Sequence, residues 1–365
     1  MLVGSLPIQC NLYFNLLHLR SLARSNKQPS ITDLAKLLGL SVSGVSRALN
    51  DDSRISKATK QRVREMAQSV NYQPNHLAAG LRKGKSNLLG VIVPYIDGRF
   101  FAVVIKGIES AARQAGLNVI ICQSNEDVEY ERQNIETLLR AQVEGILISV
   151  ARTTLDFTHF ERVQERGIPL VFFDRILQGT QVNAVLLDDY AGAFQSTAHL
   201  IAQGCKRIAH FAGPQHLNIY KHRRQGYLDA LAAHGLPLAE ELIVYCDTMT
   251  LEVGTLAMQR LLTKALPPDA VFSASDSAVV GALQALNRLG LQVPQDVALA
   301  GFSNEAFTSL TTPMITSVDQ SCEQMGQAAV RLFFELRENE TEAVARQIVL
   351  PPTLCVRASS CRLSK

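Results

Sequence analysis

The stretch that decides the fold of the N-terminal region is LAKLLGLSVSGVSRAL, residues 34–49. Its leucines recur at helical spacing up to Gly39, which can adopt the positive φ that ends a helix, and Ser41 is a suitable N-cap for a second helix. The pattern predicts a helix-turn-helix whose second helix could enter a DNA major groove. Its outer surface would carry Val42, Ser43, Gly44, Ser46 and Arg47. An ordinary helical hairpin is the alternative that these residues leave open.

Charge is distributed unevenly along the chain. Residues 31–85 hold ten basic and four acidic side chains, a balance of +6, and residues 1–30 add +3. Because the whole chain carries only +3, residues 86–365 sum to −6. A basic N-terminal region on an acidic body predicts a polyanionic partner for that region alone.

The seven cysteines are scattered, and no pair has a C-x-x-C spacing. We therefore expect no disulfide framework and no metal site, but reduced thiols in a cytoplasmic protein. Residues 1–29 lack a basic segment before their apolar run and a convincing cleavage site, so we expect a poorly ordered N-terminal extension or, as the alternative, a start codon assigned too early. No stretch approaches the roughly 18 uninterrupted apolar residues of a membrane span, and no membrane partner is expected.

Two segments follow the helix-turn-helix. Ser56 can cap a third helix, which completes a DNA-binding headpiece over residues 30–72. In the next stretch, NYQPNHLAAGLRKGK, Leu77 and Leu81 lie at i and i+4, but Gly80 weakens a helix by about 1 kcal/mol. Because so short a helix is unstable alone, we expect residues 73–86 to be a hinge helix and linker that folds on a partner chain and DNA. A simple basic linker is the alternative.

From residue 88 onward, apolar runs alternate with amphipathic stretches, a pattern typical of parallel strands with crossover helices. The predicted strands are 88–93, 117–122, 145–149, 169–173, 207–212, 242–245, 270–274 and 297–302. The predicted helices are 101–115, 129–140, 190–203, 221–234, 251–266, 277–289 and 323–337. So many units exceed one sheet, and residues 87–357 are predicted to form two α/β lobes with a cleft between them. We expect the first lobe to end near Asp188 and residues 358–365 to form a C-terminal tail.

Polar residues recur where the predicted strands end, which is where open α/β sheets bind ligands. These residues are found in 94–101 and at Ser124, Asn125, Glu126, Asp174, Arg175, Ser275, Asp276, Ser303 and Asn304. No glycine-rich phosphate loop accompanies them, and no nucleophile with a paired base is evident. The sequence therefore predicts a binding cleft with no cofactor, and no enzyme activity.

The chain resembles the LacI/GalR family of bacterial transcriptional regulators from about residue 31 to residue 357. The motifs that carry the resemblance are ITDLAKLLGLS, VSRALN, NYQPNHLAAGLR, GVIVP, IPLVFFDR, GCKRIAHFAGP, RRQGYLDAL and VPQDVALAGFSN. The resemblance implies an all-α helix-turn-helix headpiece, a hinge helix and a two-lobed effector domain like periplasmic sugar-binding proteins. It also implies a homodimer on a near-palindromic operator.

The family pattern implies roles for headpiece and hinge residues. Val42, Ser43 and Arg47 would lie at base edges, with Ser46 and Asn50 nearer the phosphates. In the hinge, Leu81 would wedge into the minor groove beside Ala78. The remaining implied DNA contacts are Thr32, Ser41, Ser56, Thr59 and Asn75.

For the cleft, the resemblance implies effector contacts from Phe100, Asn125, Asp174, Arg175, Arg223, Asp276 and Gln320. Carboxylates and arginines suit a polyol, so a sugar is the expected effector and a purine or nucleoside the alternative. Two other functions, a solute-binding protein and an enzyme that acts on sugars, are weaker alternatives. Structural explanations are the alternatives. Asp188, Asp189 and Asp276 could cap helices, and Arg223 could form a salt bridge on the surface of a lobe. One of Phe100 and Phe101 is expected in the core.

Three departures from the family pattern stand out. Gly98-Arg99 replaces the usual Asn-Pro at the mouth of the cleft, and Ser275 replaces an asparagine that can fix the acid after it. Gly44 replaces a hydroxyl residue in the recognition helix.

Overall fold

The computed structural model describes residues 29–72, 86–177, 181–338 and 345–362. It contains two compact units that divide between Ser86 and Asn87. The expectations for residues 1–28 and for Asn75, Ala78 and Leu81 of the hinge lie outside the described residues. Over the described ranges, no helix is long and apolar enough to cross a lipid bilayer.

Within residues 29–72, the first unit contains three helices, α1 (Ile31–Leu38), α2 (Val42–Leu49) and α3 (Lys57–Ser69). The predicted helix ends are confirmed: Gly39 adopts φ 64° after α1, and the Ser41 hydroxyl accepts a hydrogen bond from Gly44 N at 3.1 Å. Ser56 caps α3 in the same way, and Ser30 with Asp33 forms a capping box that the sequence reading missed. The helices share an apolar core of Leu34, Ala35, Leu38, Val45, Ala48, Val63 and Ala67.

The second unit is built on two six-stranded sheets. The strands are β1 (Leu88–Val93), β2 (Asn118–Gln123), β3 (Gly145–Ile148), β4 (Leu170–Phe173), β5 (Ala184–Leu187), β6 (Ile208–Ala212), β7 (Ile243–Tyr245), β8 (Ala270–Ser273), β9 (Ala298–Phe302), β10 (Thr316–Asp319), β11 (Gln347–Leu350) and β12 (Thr353–Cys355). The first-lobe sheet has the order β11-β5-β4-β3-β1-β2, and the second-lobe sheet has the order β12-β10-β9-β8-β6-β7. All pairings are parallel except β10 with β12.

Helices cover the sheets: α4 (Arg99–Gln114), α5 (Val128–Arg140), α6 (Thr158–Glu165), α7 (Asp189–Ala202), α8 (Asn218–Ala233), α9 (Leu251–Leu262), α10 (Asp276–Arg288) and α11 (Cys322–Glu338). Short 3-10 turns occupy Glu240–Leu242 and Ala306–Ser309. Helix α11 lies against α4 so closely that a Cβ on Gly107 would stand 2.3 Å from the Glu323 carbonyl oxygen. The late helix α11 therefore belongs to the first lobe.

All eight predicted strands and all seven predicted helices of this unit are found, and their ends either match the prediction or differ from it by at most four residues. Strands β5, β10, β11 and β12 and helix α6 were not predicted from the sequence. The residues after Arg357, expected to form a tail, pack into the second lobe as far as they are described. Ser359 and Ser360 are fully buried there, and the Ser359 hydroxyl donates to Leu299 O at 2.7 Å.

Candidate functional site

A cavity of about 70 Å³ lies at the carboxyl ends of strands from both lobes. The first lobe contributes residues after β1 and β4, and the second lobe contributes residues from α8 and from the ends of β8 and β9. Gln320 follows β10, on one of the segments that pass between the lobes. The lining is Tyr95, Phe100, Phe101, Asp174, Arg175, Ile219, Tyr220, Arg223, Ala274, Ser275, Ser277, Ser303, Glu305 and Gln320.

Arg223 is the most extensively bonded cation of the lining. Its Nε donates to Asp189 at 2.7 Å, Nη1 to Ala274 O at 2.9 Å and Nη2 to the Gln320 side-chain oxygen at 3.2 Å. Burial raises the pKa of Asp189 to about 6, and the charge of Arg223 opposes that rise. The network fixes the planar guanidinium at one wall of the cavity, with Gln320 oriented beside it.

Asp174 occupies the residue after β4 with a left-handed φ of 60°. Its carboxylate accepts a hydrogen bond from the Ser149 hydroxyl at 3.3 Å, and its carbonyl accepts one from the Asn218 side chain at 3.0 Å. Burial raises the pKa of Asp174 to about 6, although Arg175 and Arg223 pull it down. At neutral pH this carboxylate is an acceptor for ligand hydroxyls.

Arg175 lies beside Asp174 and is paired with Glu126, a strand-end residue that was not among the predicted effector contacts. Its Nη1 donates to both carboxylate oxygens of Glu126, at 2.9 and 2.8 Å. The signal was available, since Glu126 follows Asn125 at the end of β2. Asn125 itself is exposed and lies outside the cavity lining.

Two hydrogen bonds join the lobes at the mouth of the cavity. The Arg99 guanidinium donates to the Asn304 carbonyl, and Phe100 N donates to Glu305 at 3.3 Å. Glu305 N in turn donates to Asp276 at 2.8 Å. The arginine that departs from the family pattern therefore links the two lobes.

Asp276 binds the Glu305 backbone at this mouth and does not itself line the cavity. It is fully buried, and its second oxygen accepts from the Ser317 hydroxyl at 2.7 Å. Burial raises its pKa to about 6, although the Glu305 and Ser317 hydrogen bonds oppose the rise. These two bonds fix the acid in the absence of the family asparagine that Ser275 replaces.

Aromatic side chains cover the apolar part of the lining. Phe100 and Phe101 are both buried, at 7% and 1% exposure, and both line the cavity, with Phe101 packed edge-on against Tyr95 and Phe173. Burial raises the pKa of Tyr95 and of Tyr220, so both phenols stay protonated and can each donate one hydrogen bond. The sequence reading had selected neither tyrosine.

Of the seven predicted effector contacts, the structure brings five together at the cavity: Phe100, Asp174, Arg175, Arg223 and Gln320. Asp276 and Asn125 lie off it. Asp188 is the N-cap of α7, as the capping alternative proposed, whereas Asp189 pairs with Arg223 inside the lobe. The surface-salt-bridge alternative for Arg223 is wrong, because both partners are buried.

The outer surface of α2 presents the predicted DNA-contacting side chains to solvent. Ser43, Arg47 and Asn50 are exposed, and Val42 and Ser46 are half-buried. Thr32 and Ser56 are exposed as well, Thr59 is half-buried, and the Ser41 hydroxyl is occupied by its cap. The Asn50 amide donates to Ser46 O at 2.9 Å, which fixes it at the end of the helix.

Comparison with known proteins decides the family. The model of lacI-family bacterial regulatory proteins matches residues 30–75, and that of a periplasmic binding protein-like domain matches residues 197–360. The HTH-type transcriptional repressor CytR of Escherichia coli (strain K12) is 32% identical over 311 residues, covering 85% of this chain and 90% of its own. The chain belongs to the LacI family. The HTH-type transcriptional regulator DegA of Bacillus subtilis (strain 168) is 31% identical, covering 92% and 99%.

Solved structures of the LacI family agree with this fold. The Lac repressor dimer bound to operator and the anti-inducer ONPF is 25% identical, covers 92% of this chain and 100% of its own, and has a TM-score of 0.81. The transcriptional regulator CelR–cellobiose complex is 31% identical, covers 91% and 99%, and has a TM-score of 0.69. The predicted family and fold class are confirmed, and the relatives named here are transcriptional regulators.

Proposed function

We propose that this LacI-family repressor binds a near-palindromic operator as a homodimer and that a sugar in the cavity controls its operator affinity. The observation that carries the effector class is the lining itself. Two buried arginines and a buried carboxylate converge on a cavity walled by four aromatic rings. Forked donors and carboxylates each bind two neighbouring hydroxyls, and rings cover the apolar face of a pyranose.

Control of DNA affinity follows from the contacts between the lobes. A ligand in the cavity touches residues of both lobes and of the Gln320 segment, so it binds one lobe arrangement more tightly than another. That difference is the coupling free energy available for changing operator affinity. A nucleoside is the second candidate effector, because its ribose offers the same vicinal hydroxyls and its base could stack on Tyr95 or Tyr220.

The solute-binding alternative has weaker support, since the lacI-family model matches the headpiece at residues 30–75. The proposal has a direct test. Thermal unfolding of the purified chain is followed with a panel of sugars and nucleosides, and each ligand that raises Tm is titrated into the complex with an operator duplex selected from a random pool. We expect a sugar to raise Tm and to change the operator Kd. Stabilisation by nucleosides alone would replace the sugar, and stabilisation without any change in operator Kd would refute the control.

A further inference from the structure

Glu126 is held in place from three directions. It follows β2 in a left-handed conformation, with φ 60°. Its carboxylate accepts from Arg175 on both oxygens and from Arg152 N at 2.8 Å, and its carbonyl accepts from the Thr153 hydroxyl at 3.2 Å. The acid is therefore an anchored part of the site and not a mobile surface side chain.

Arg175 keeps donor capacity that the protein does not use. The side chain is 6% exposed and lines the cavity, and its buried Nε has no hydrogen-bond partner within the described residues. The nearest acid to this nitrogen besides Glu126 is Asp174, at 3.7 Å. An arginine with an open donor at a cavity wall is a binding site for an oxyanion unless its charge is already compensated.

The charge balance at this wall depends on Glu126. Arg223 is already neutralised by Asp189 at 2.7 Å, whereas Asp174 stands 3.7 Å from the Arg175 Nε, beyond hydrogen-bond distance. With Glu126 present, Arg175 is paired by a full carboxylate at contact distance. Without it, the same wall would carry a desolvated guanidinium whose remaining acidic neighbour, Asp174, makes no hydrogen bond to it.

We propose that Glu126 determines the charge class of the effector: it keeps Arg175 neutralised, so that the cavity accepts uncharged polyols and rejects phosphorylated ones. This inference rests on the proposed effector site. A phosphate group placed at Arg175 would either face the Glu126 carboxylate or have to displace it from three hydrogen bonds, whereas a hydroxyl carries no charge for that carboxylate to repel.

The test compares the full-length chain with Glu126→Gln, which keeps the shape of the side chain and removes its charge. Inorganic phosphate is the probe, against sodium chloride at matched ionic strength, and Tm and calorimetric titration are the readouts. We expect no phosphate-specific shift for the wild type and a rise in Tm of several degrees for Glu126→Gln. Glu129→Gln, which removes an exposed charge on the next helix, is the matched control and should behave as wild type.

Two further measurements separate the possible outcomes. Glu126→Asp keeps the charge and should still reject phosphate. On the wild type, a sugar that binds is compared with its phosphate ester, and we expect affinity for the ester to be at least tenfold weaker. Equal phosphate responses in wild type and Glu126→Gln, or a wild-type preference for the ester, would overturn the role of Glu126. If no sugar binds the wild type while Glu126→Gln gains phosphate binding, the sugar proposal fails and the charge role of Glu126 stands.

Discussion

The guanidinium carbon of Arg223 lies 3.7 Å from the centre of the Phe302 ring, while its Nε donates to Asp189 at 2.7 Å. The side chain thus stacks on a ring of the second-lobe core and pairs with a carboxylate at the same time. A desolvated cation–π contact contributes about 2 kcal/mol. The residue that faces the cavity is therefore also part of what holds the second lobe together.

Replacing Arg223 should cost both stability and effector binding. Because Arg223→Met leaves Asp189 buried without its cation, we expect about 3–5 kcal/mol less free energy of unfolding in urea. Adding Asp189→Asn should recover part of that loss without restoring the Tm shift from effector. Arg224→Met is the matched control, since this neighbour is only half-buried. Equal losses in both single variants would contradict the role of the buried pair.

Arg47 should carry base recognition. It is exposed on α2, and a bidentate contact to guanine contributes about 1–3 kcal/mol of discrimination. Arg47→Ala should therefore lower affinity for a selected operator toward that for random duplex, measured by fluorescence anisotropy at fixed salt. Arg54→Ala removes the same charge from a side chain that is paired with Asp52. This variant should lower the affinity for the operator and the affinity for random duplex slightly and equally. A preserved preference in Arg47→Ala would exclude this residue from base readout.

Gly39 sets the turn between α1 and α2 through its backbone alone. Its φ is 64°, and a Cβ there would meet nothing within 4 Å. Gly39→Ala should destabilise the headpiece by about 1 kcal/mol because of the left-handed conformation, whereas Gly39→Asn should cost less. Operator affinity and amide hydrogen exchange in α1 and α2 would report the difference. Identical behaviour of the two variants would show that the turn relaxes.

Stability should fall in acid through His210, which is fully buried between Tyr227 and Phe272. Burial lowers its pKa to about 4, below the ordinary value of 6.5. The unfolded chain thus takes up the proton first, and stability is lost as pH falls from 6.5 toward 4, by about 3 kcal/mol at most.

The His210→Phe variant should flatten this part of the pH profile of urea unfolding, and the exposed His234→Phe should leave it unchanged. The three aspartates with pKa values raised to about 6 act in the opposite sense, since their contribution is lost as pH rises through 6. The three aspartates are present in both variants, so their contribution to the pH dependence of stability is the same in each and cancels when the profiles are compared. An unchanged slope in His210→Phe would assign the acid sensitivity to other groups.

Most of the predicted strands bury a continuous apolar run, and the predicted helices bury one apolar face, which made both recognisable in the sequence. Strand β10 was not recognisable, because Thr316 and Ser317 are polar and yet fully buried. Their hydroxyls bond to Ser360 and Asp276, partners that are distant in sequence. The edge strands β11 and β12 are short and only half-buried, so they carry no strong pattern.

The site was predictable at the residues that directly follow predicted strands, such as Asp174 and Arg175. After β2 the sequence offered both Asn125 and Glu126, but only Asn125 was predicted as an effector contact; both residues adopt left-handed backbone conformations. A left-handed turn decides which of the two adjacent side chains contacts Arg175. The spacing of residues in one sequence does not reveal such a turn. Tyr95 and Tyr220 were missed because nothing in their neighbourhood distinguishes a lining ring from a core ring.

Strands β11 and β12 are the last strands to be synthesised, so neither sheet is complete until both have been translated. Strand β11 pairs with β5 of the first lobe, and β12 pairs with β10 of the second. While a ribosome is still translating residue 345, each sheet lacks a border strand and exposes unpaired backbone groups. A premature stop codon at residue 345 would therefore leave both lobes incomplete at once, and such a product should aggregate or be degraded.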